Sequence, residues 1–320
     1  MTTRRGRLLE IGVVTAVFAL LPAVAVTSYR LRVFTLMVGF ALFAIALNVV
    51  FGHTDQLFLF VGGLAGVSAY AAVFAATTLG VTPWLTLPLG VVLAGLLGAG
   101  VSYVAARQQF SVILIAVFTL ALGLALDQFF IGARSITGGS DGVVVRDLLV
   151  HDRLAFYYLF VVVLLGFMLG YDRLVASRYG LAFEAIREDE LAAASVGLDV
   201  VRYKTLAGLL AAMMIGLAGA IFGFSEGYVA PAVFSFSSVD VLVLIMLTLG
   251  GMRTLLGPVV GAVLIYAIDV ALAGTGGWRT FVFGVLLIVL FLYFRAGIVP
   301  KVRALLAKRG VDVAGRLHLD

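Results

Sequence analysis

The 320-residue chain is 63% hydrophobic and only 12% charged, has no cysteine, and carries a formal net charge of +5. Soluble domains hold roughly 45–50% apolar and 25% charged residues, so a soluble globular protein is excluded. The apolar runs are long and unbroken, which excludes the short alternating segments of a β-barrel. What remains is an all-α polytopic membrane protein, in which each helix needs about 20 apolar residues to cross about 30 Å of hydrocarbon.

Ten apolar stretches follow in chain order, at about 8–26, 33–51, 57–78, 84–106, 111–128, 154–171, 206–224, 239–249, 259–273 and 280–298. The first has basic, apolar and small-residue regions in the order of a signal peptide, with Ala23-Val24-Ala25 as a candidate cleavage site. Retained, it makes ten spans; cleaved, it leaves nine with the same loop sides. The eighth and ninth stretches are short and flank LGGMRTLLGP (249–258), whose glycines and Pro258 break helices, so a broken or re-entrant element is expected there. Sizeable polar pieces are confined to a loop at 129–153, a stretch at 172–205 and a tail at 299–320, and residues 1–320 read as one transmembrane domain.

With a cytoplasmic N-terminus, ten spans place 16 of the 22 Lys and Arg on the inner side, although Arg30 and Arg32 fall outside. Both termini are therefore expected in the cytoplasm. The net positive charge and the basic tail suit an anionic lipid surface, and no nucleic acid is needed to explain them.

Catalytic chemistry is not legible. The chain has no GxxxxGK[ST] phosphate loop, no HExxH, no Cys/His metal spacing and no nucleophile elbow. Glu10, Asp127, Asp240 and Asp269 fall near the ends of the apolar runs, where solvation by headgroups is the expectation. The clustered glycines in VGGLAGVSAYAA (61–72) and LGVVLAGLLGAG (89–100) suit close helix packing in lipid. A helix break lining a substrate path is best placed at FGHTDQ (51–56), where glycine adjoins polar residues.

Residues 172–205 are the exception to this apolar chain, with 11 charges in 34 residues. A connector needs only a few residues. Residues 181–196 are mostly good helix formers and Gly197 stands where a C-terminal cap belongs, so a short helix offering a docking surface is expected.

The stretch GLAFEAIREDELAAASVGLDVVRYKTLAGLLAAMMIGLAGAIFG (180–223), with SITGGSDGV (135–143) and GGMRTLLGPVVGAVL (250–264), resembles the LivM-type permease subunits of branched-chain amino acid ABC transporters. The first third is less similar. Family members resemble GYTGQLSLGHAAFFGIGAY where this chain has GHTDQLFLFVGGLAGVSAY (52–70): Gln56, Gly66 and Tyr70 agree, while Asp55, Phe58, Phe60 and Val61 replace Gly, Ser, Gly and His.

The resemblance implies a permease bundle of an ABC importer in a bacterial inner membrane. An extracytoplasmic solute-binding protein, a second LivH-like permease subunit and two ATPases would be its partners. ATP would be used by those ATPases, with no cofactor or metal held by this chain. The coupling segment of such permeases resembles EAAxxxG; Ala192, Ala193 and Gly197 match it, Leu191 takes the glutamate slot and Glu190 lies one residue early. The resemblance implies ATPase coupling at Glu184, Arg187, Glu188, Glu190, Ala192, Ala193 and Gly197, and a substrate path at Gln56, Gly66 and Tyr70. An outer gate or binding-protein contact is implied at Gly138, Gly139, Ser140, Asp141 and Gly142, for which a solvated turn is the plainer reading. The alternatives are a permease for urea, short amides or another small polar solute, and an ion-coupled secondary transporter, which needs a mid-membrane carboxylate or histidine.

Overall fold

A computed structural model describes residues 4–24, 27–145, 149–150, 152–272, 278–293 and 297–308. Ala25 of the candidate cleavage site and the tail beyond Lys308 lie outside the described residues. The helices are α1 (Arg4–Leu20), α2 (Ser28–Thr54), α3 (Val61–Leu79), α4 (Pro83–Arg107), α5 (Val112–Gly132), α6 (Arg134–Thr137) and α7 (Arg153–Val175). There follow α8 (Arg178–Glu188), α9 (Glu190–Ser195), α10 (Val200–Glu226), α11 (Asp240–Gly250), α12 (Gly257–Ala271), α13 (Arg279–Tyr293) and α14 (Ile298–Lys308). Two short strands, β1 (Val143–Val144) and β2 (Tyr228–Val229), pair antiparallel.

Among the described residues, seven helices are long and apolar enough to cross a membrane: α1, α2, α3, α4, α5, α7 and α10. The eleven residues of α11 and fifteen of α12 span only about 16 and 22 Å, short of a 30 Å core. They form the expected broken element, a hairpin of helices in close backbone contact. A Cβ on Gly261 would lie 1.8 Å from Met246 O, and one on Gly250 would lie 1.9 Å from Gly257 O.

The chain divides into two compact units, residues 46–156 with 173–244, and residues 1–45 with 157–172 and 245–320. The second of these holds the α11–α12 turn against the start of α14, where Gly251 meets Gly297 and Pro300. Arg7 pairs with Asp172 at 3.1 Å and Arg303 with Glu10 at 2.8 Å, gathering the start of α1, the end of α7 and α14 at one end. Tyr157 OH donates to Phe18 O at 2.5 Å.

In the larger unit α10 packs against α3 and α4 through small residues. Gly219 and Gly223 of α10 face Ala65 and Ala69 of α3, while Gly208 faces Ser102 and Gly98 of α4. Small side chains let backbones approach where lipid supplies no hydrophobic drive. At one end of this unit β1 and β2 pair, Tyr228 OH donates to Asp141 O, and Trp84 Nε1 donates to Leu149 O at 3.2 Å.

A Cβ on Gly219 would lie 2.5 Å from the Ala65 Cα, whereas one on Gly100 would meet nothing within 4 Å. Gly219→Val is therefore expected to lower thermal stability in detergent by about 1–3 kcal/mol, the usual scale of overpacking. Gly100→Ala is expected to leave the melting temperature unchanged.

Candidate functional site

Between α2 and α3 the chain leaves helical geometry over residues 55–60, and Gln56, Phe58 and Phe60 within this break are fully buried. Buried non-helical backbone needs partners inside the protein. Thr119 of α5 serves two groups at once, its hydroxyl accepting from Leu59 N (3.0 Å) and donating to Leu57 O (3.2 Å). Gln56 Nε2 donates to Thr54 Oγ1 (2.9 Å) and to Lys204 O of α10 (3.1 Å).

The open end of α3 is closed from much further along the chain. Phe60 at the N-cap position offers no side-chain bond. Asp240 supplies it instead, with Oδ1 accepting from Val61 N at 2.5 Å and Oδ2 from Gly62 N at 3.3 Å. Carboxylate charge at a helix N-terminus satisfies orphan donors and suits the helix dipole. Gly62 admits the visiting segment, because a Cβ there would lie 2.1 Å from Phe234 O.

The depth of this meeting point follows from the packing of α3 on its neighbours. Ala65 and Ala69 lie level with Gly219 and Gly223 of α10, and Gly63 lies against Gly123 and Leu126 of α5. Val61 is then level with about Ile215 of α10 and Ala121 of α5, the middle of both helices. Asp240 was expected at a headgroup interface; it is instead 3% exposed, level with the middle of α5 and α10. Asp127 of α5 lies near the backbone of Phe236. Glu10, by contrast, is partly exposed and paired with Arg303, and Asp269 is half-buried in the last turn of α12.

The segment that carries Asp240 to this depth runs from Pro231 through Ser238. Ser235 Oγ donates to Ser238 Oγ (2.9 Å), and Ser238 Oγ donates to Ala232 O (3.0 Å). Sequence reasoning missed this segment, although Pro231 and the three serines at 235, 237 and 238 interrupt the apolar pattern. It also missed Thr119, which leaves no local signal.

The three residues expected on a substrate path are not brought to one place. Gln56 lies against the start of α10. Gly66 abuts the Phe130 ring, 2.7 Å from where its Cβ would be. Tyr70 also packs on Phe130, with ring centroids 4.9 Å apart. Phe58 and Phe60 pack against each other inside the core, ring centroids 5.0 Å apart and tilted at 60°.

The loop at 138–142 is a tight glycine-dependent turn, with Gly138, Gly139 and Gly142 at φ of +71°, +68° and +69°. A Cβ on Gly142 would lie 2.3 Å from Val229 O, so the turn sits directly against β2. Ser140 and Asp141 remain exposed on it.

Residues 172–205 hold two helices where one was expected. Asp189 takes an extended conformation (φ −159°, ψ 110°) and its carboxylate accepts from Leu191 N and Ala192 N at 2.9 and 3.0 Å. That side-chain cap ends α8 and starts α9. Gly197 closes α9 as expected, at φ +88°, with Leu198 N donating to Ala193 O at 3.1 Å.

Both helices are tied to the interior. Arg187 pairs with Asp55 at 3.1 Å and donates to Gly52 O at the end of α2. Glu190 pairs with Lys204, which is 4% exposed. Ala193 is only 3% exposed, packed within its own subunit, whereas Glu184, Glu188 and Ala192 face outward. So do Leu191 and Val196, 79% and 78% exposed.

Comparison with known proteins gives this arrangement a setting. A family profile described as branched-chain amino acid transport system / permease component matches residues 29–292. The chain belongs to this family. The LivM permease protein of the high-affinity branched-chain amino acid transport system of Salmonella typhimurium is 26% identical over 312 residues, covering 88% of this chain and 72% of the relative. Its Escherichia coli counterpart is 26% identical over 300 residues, covering 84% and 69%. A probable LivH permease protein of Methanocaldococcus jannaschii is 28% identical over 218 residues, covering 64% and 67%. No solved structure matches.

The protein is thus a multi-pass permease component of an ABC transporter, and not an enzyme. Asp55, the first residue of the break, holds φ +53°. A left-handed conformation disfavours most side chains, but Asp tolerates it.

Removing the acceptor at Asp240 tests the site. Asp240→Ala leaves two buried N–H groups unpaired, at a cost of about 1–3 kcal/mol each, while Asp240→Asn keeps one acceptor oxygen. Thermal unfolding of purified protein should rank wild type above Asn above Ala. Equal stability of all three would show that α3 needs no cap from Asp240.

Proposed function

We propose that the chain is the LivM-like subunit of an ATP-driven importer for branched-chain or related small amino acids, acting as a single transmembrane permease domain over residues 1–320. The observation that carries this reading is the double tie between α8–α9 and the interior. Arg187 reaches Asp55 and Glu190 reaches Lys204, whose carbonyl holds Gln56 in the break before α3. A force applied to α8–α9 from outside is thereby delivered to the backbone break at mid-span.

The outward face of α8–α9 is the surface for a separate ATPase. Leu181, Leu191 and Val196 are large, apolar and exposed on an otherwise charged segment outside the spans. Glu184, Glu188 and Ala192 share that exposed character, while Arg187, Glu190, Ala193 and Gly197 hold the helices in place. ATP is used by that partner. The path runs by the 55–60 break and the 231–238 segment beside Gln56 and Gly66, with Tyr70 towards β2. Ser140 and Asp141, on their glycine-built turn, meet the solute-binding protein or gate the outer side. A LivH-like subunit completes the path.

Leu191→Glu with Val196→Glu should abolish co-purification of the ATPase and solute uptake at normal permease abundance, because neither side chain is packed in its own subunit. Ala193→Trp should behave differently and lower the abundance of the subunit alone. Undiminished co-purification of the double variant would remove α8–α9 as the docking surface.

Ion-coupled transport has one observation in its favour, the mid-span carboxylate of Asp240. Both of its oxygens are engaged by Val61 and Gly62, which supports a structural use. Uptake into vesicles that follows a proton or sodium gradient and ignores internal ATP would establish the ion-coupled reading instead.

Both termini and α8–α9 are assigned to the cytoplasm of a bacterial inner membrane. Ser140→Cys should then react with an impermeant thiol reagent in intact cells, and Ser195→Cys only after permeabilisation. The reverse pattern would invert the topology.

A further inference from the structure

A cavity of about 460 Å³ lies where α8 and α10 begin, lined by Arg178, Tyr179, Arg202, Tyr203, Thr205, Leu206 and Leu209. We propose that this cavity binds the phosphate of an anionic lipid headgroup.

The lining combines hydrogen-bond donors with apolar side chains. Among the described residues, neither Arg178 nor Arg202 pairs with a carboxylate. The Arg178 guanidinium lies over the Tyr179 ring at 5.2 Å and donates to its hydroxyl at 3.3 Å, so it is positioned without being neutralised. Thr205 also contributes to the lining, and its buried Oγ1 has no hydrogen-bond partner. Two guanidinium forks, two phenols and a hydroxyl, with no acidic side chain in the lining, match the acceptor oxygens of a phosphate.

Leu206 and Leu209 decide between a lipid and a free ion. They add apolar surface of α10 to the same lining, so a ligand filling the cavity meets both charge and hydrocarbon. A phosphodiester with acyl chains has that polarity. Its position at the aqueous end of a span is also where lipid phosphates lie. Binding there would fasten the first turn of α8 to the first turn of α10, and so stiffen the base from which α8–α9 projects.

The purified chain in detergent is titrated with short-chain phosphatidylglycerol, phosphatidylcholine or inorganic phosphate, and the melting temperature is read. Phosphatidylglycerol should raise it saturably, phosphatidylcholine should not, and phosphate should act only at far higher concentration. Arg178→Gln with Arg202→Gln should weaken the phosphatidylglycerol response by about ten-fold or more, the scale of one charge-assisted hydrogen bond. Arg107→Gln, another exposed arginine at a span end, should leave it intact. Thr205→Val keeps shape and charge and should weaken it several-fold even if the double variant does not fold. An unchanged response in Thr205→Val and the arginine variants would overturn the site. Equal potency of inorganic phosphate would overturn the lipid as occupant.

Discussion

The larger unit depends on one requirement, that the N–H groups at the start of α3 find acceptors at mid-span. A helix that begins at the membrane surface can leave its first turn to water. One that begins level with the middle of α5 and α10 cannot. Asp240 meets the requirement from 179 residues further along the chain, and several features follow from its doing so. The 231–238 segment must descend to that depth as irregular backbone, and Gly62 must lack a side chain where Phe234 O arrives. Because α11 starts half-way, its eleven residues need cover only half a span.

The same break ties the interior to the charged segment. Residues 55–60 are held by Thr119 on one side and by Lys204 O, through Gln56, on another. Lys204 also pairs with Glu190, so one residue of α10 joins the break to the start of α9 by its carbonyl and its ammonium at once. Such a buried ammonium without its carboxylate would be costly, so the two attachments are held together. Close glycine packing of α10 on α3 and α4 gives this assembly a rigid back wall.

What could be read from sequence was whatever has a local cause. Apolar runs located the spans; the glycines and Pro258 in 249–258 located the broken element, and Gly197 located a helix end. Asp189 also acts locally, yet a run of helix formers around it concealed that its carboxylate would take the N–H groups of Leu191 and Ala192. Asp240 lies beyond any local reading, because a cap supplied to a different helix leaves no spacing to recognise. Ala193 illustrates a third limit. Its match to the coupling pattern does not say which face of α9 it occupies, and the structure turns it inward while Leu191 and Val196 face out. Gln56, Gly66 and Tyr70 share a sequence motif, but the helix break sends Gln56 to the start of α10 while Gly66 and Tyr70 meet at Phe130.

Asp55 joins the legible and the hidden parts of the chain. Its φ of +53° is a conformation that most side chains disfavour and aspartate tolerates. The partner it meets there, Arg187, appears only in the structure. At 3.1 Å, with both side chains partly exposed, the pair adds little to overall stability. Its effect is on geometry. Arg187 also reaches the Gly52 carbonyl, so the guanidinium grips the end of α2 and the first residue of the break together, and α8 cannot shift without moving the turn that leads into α3.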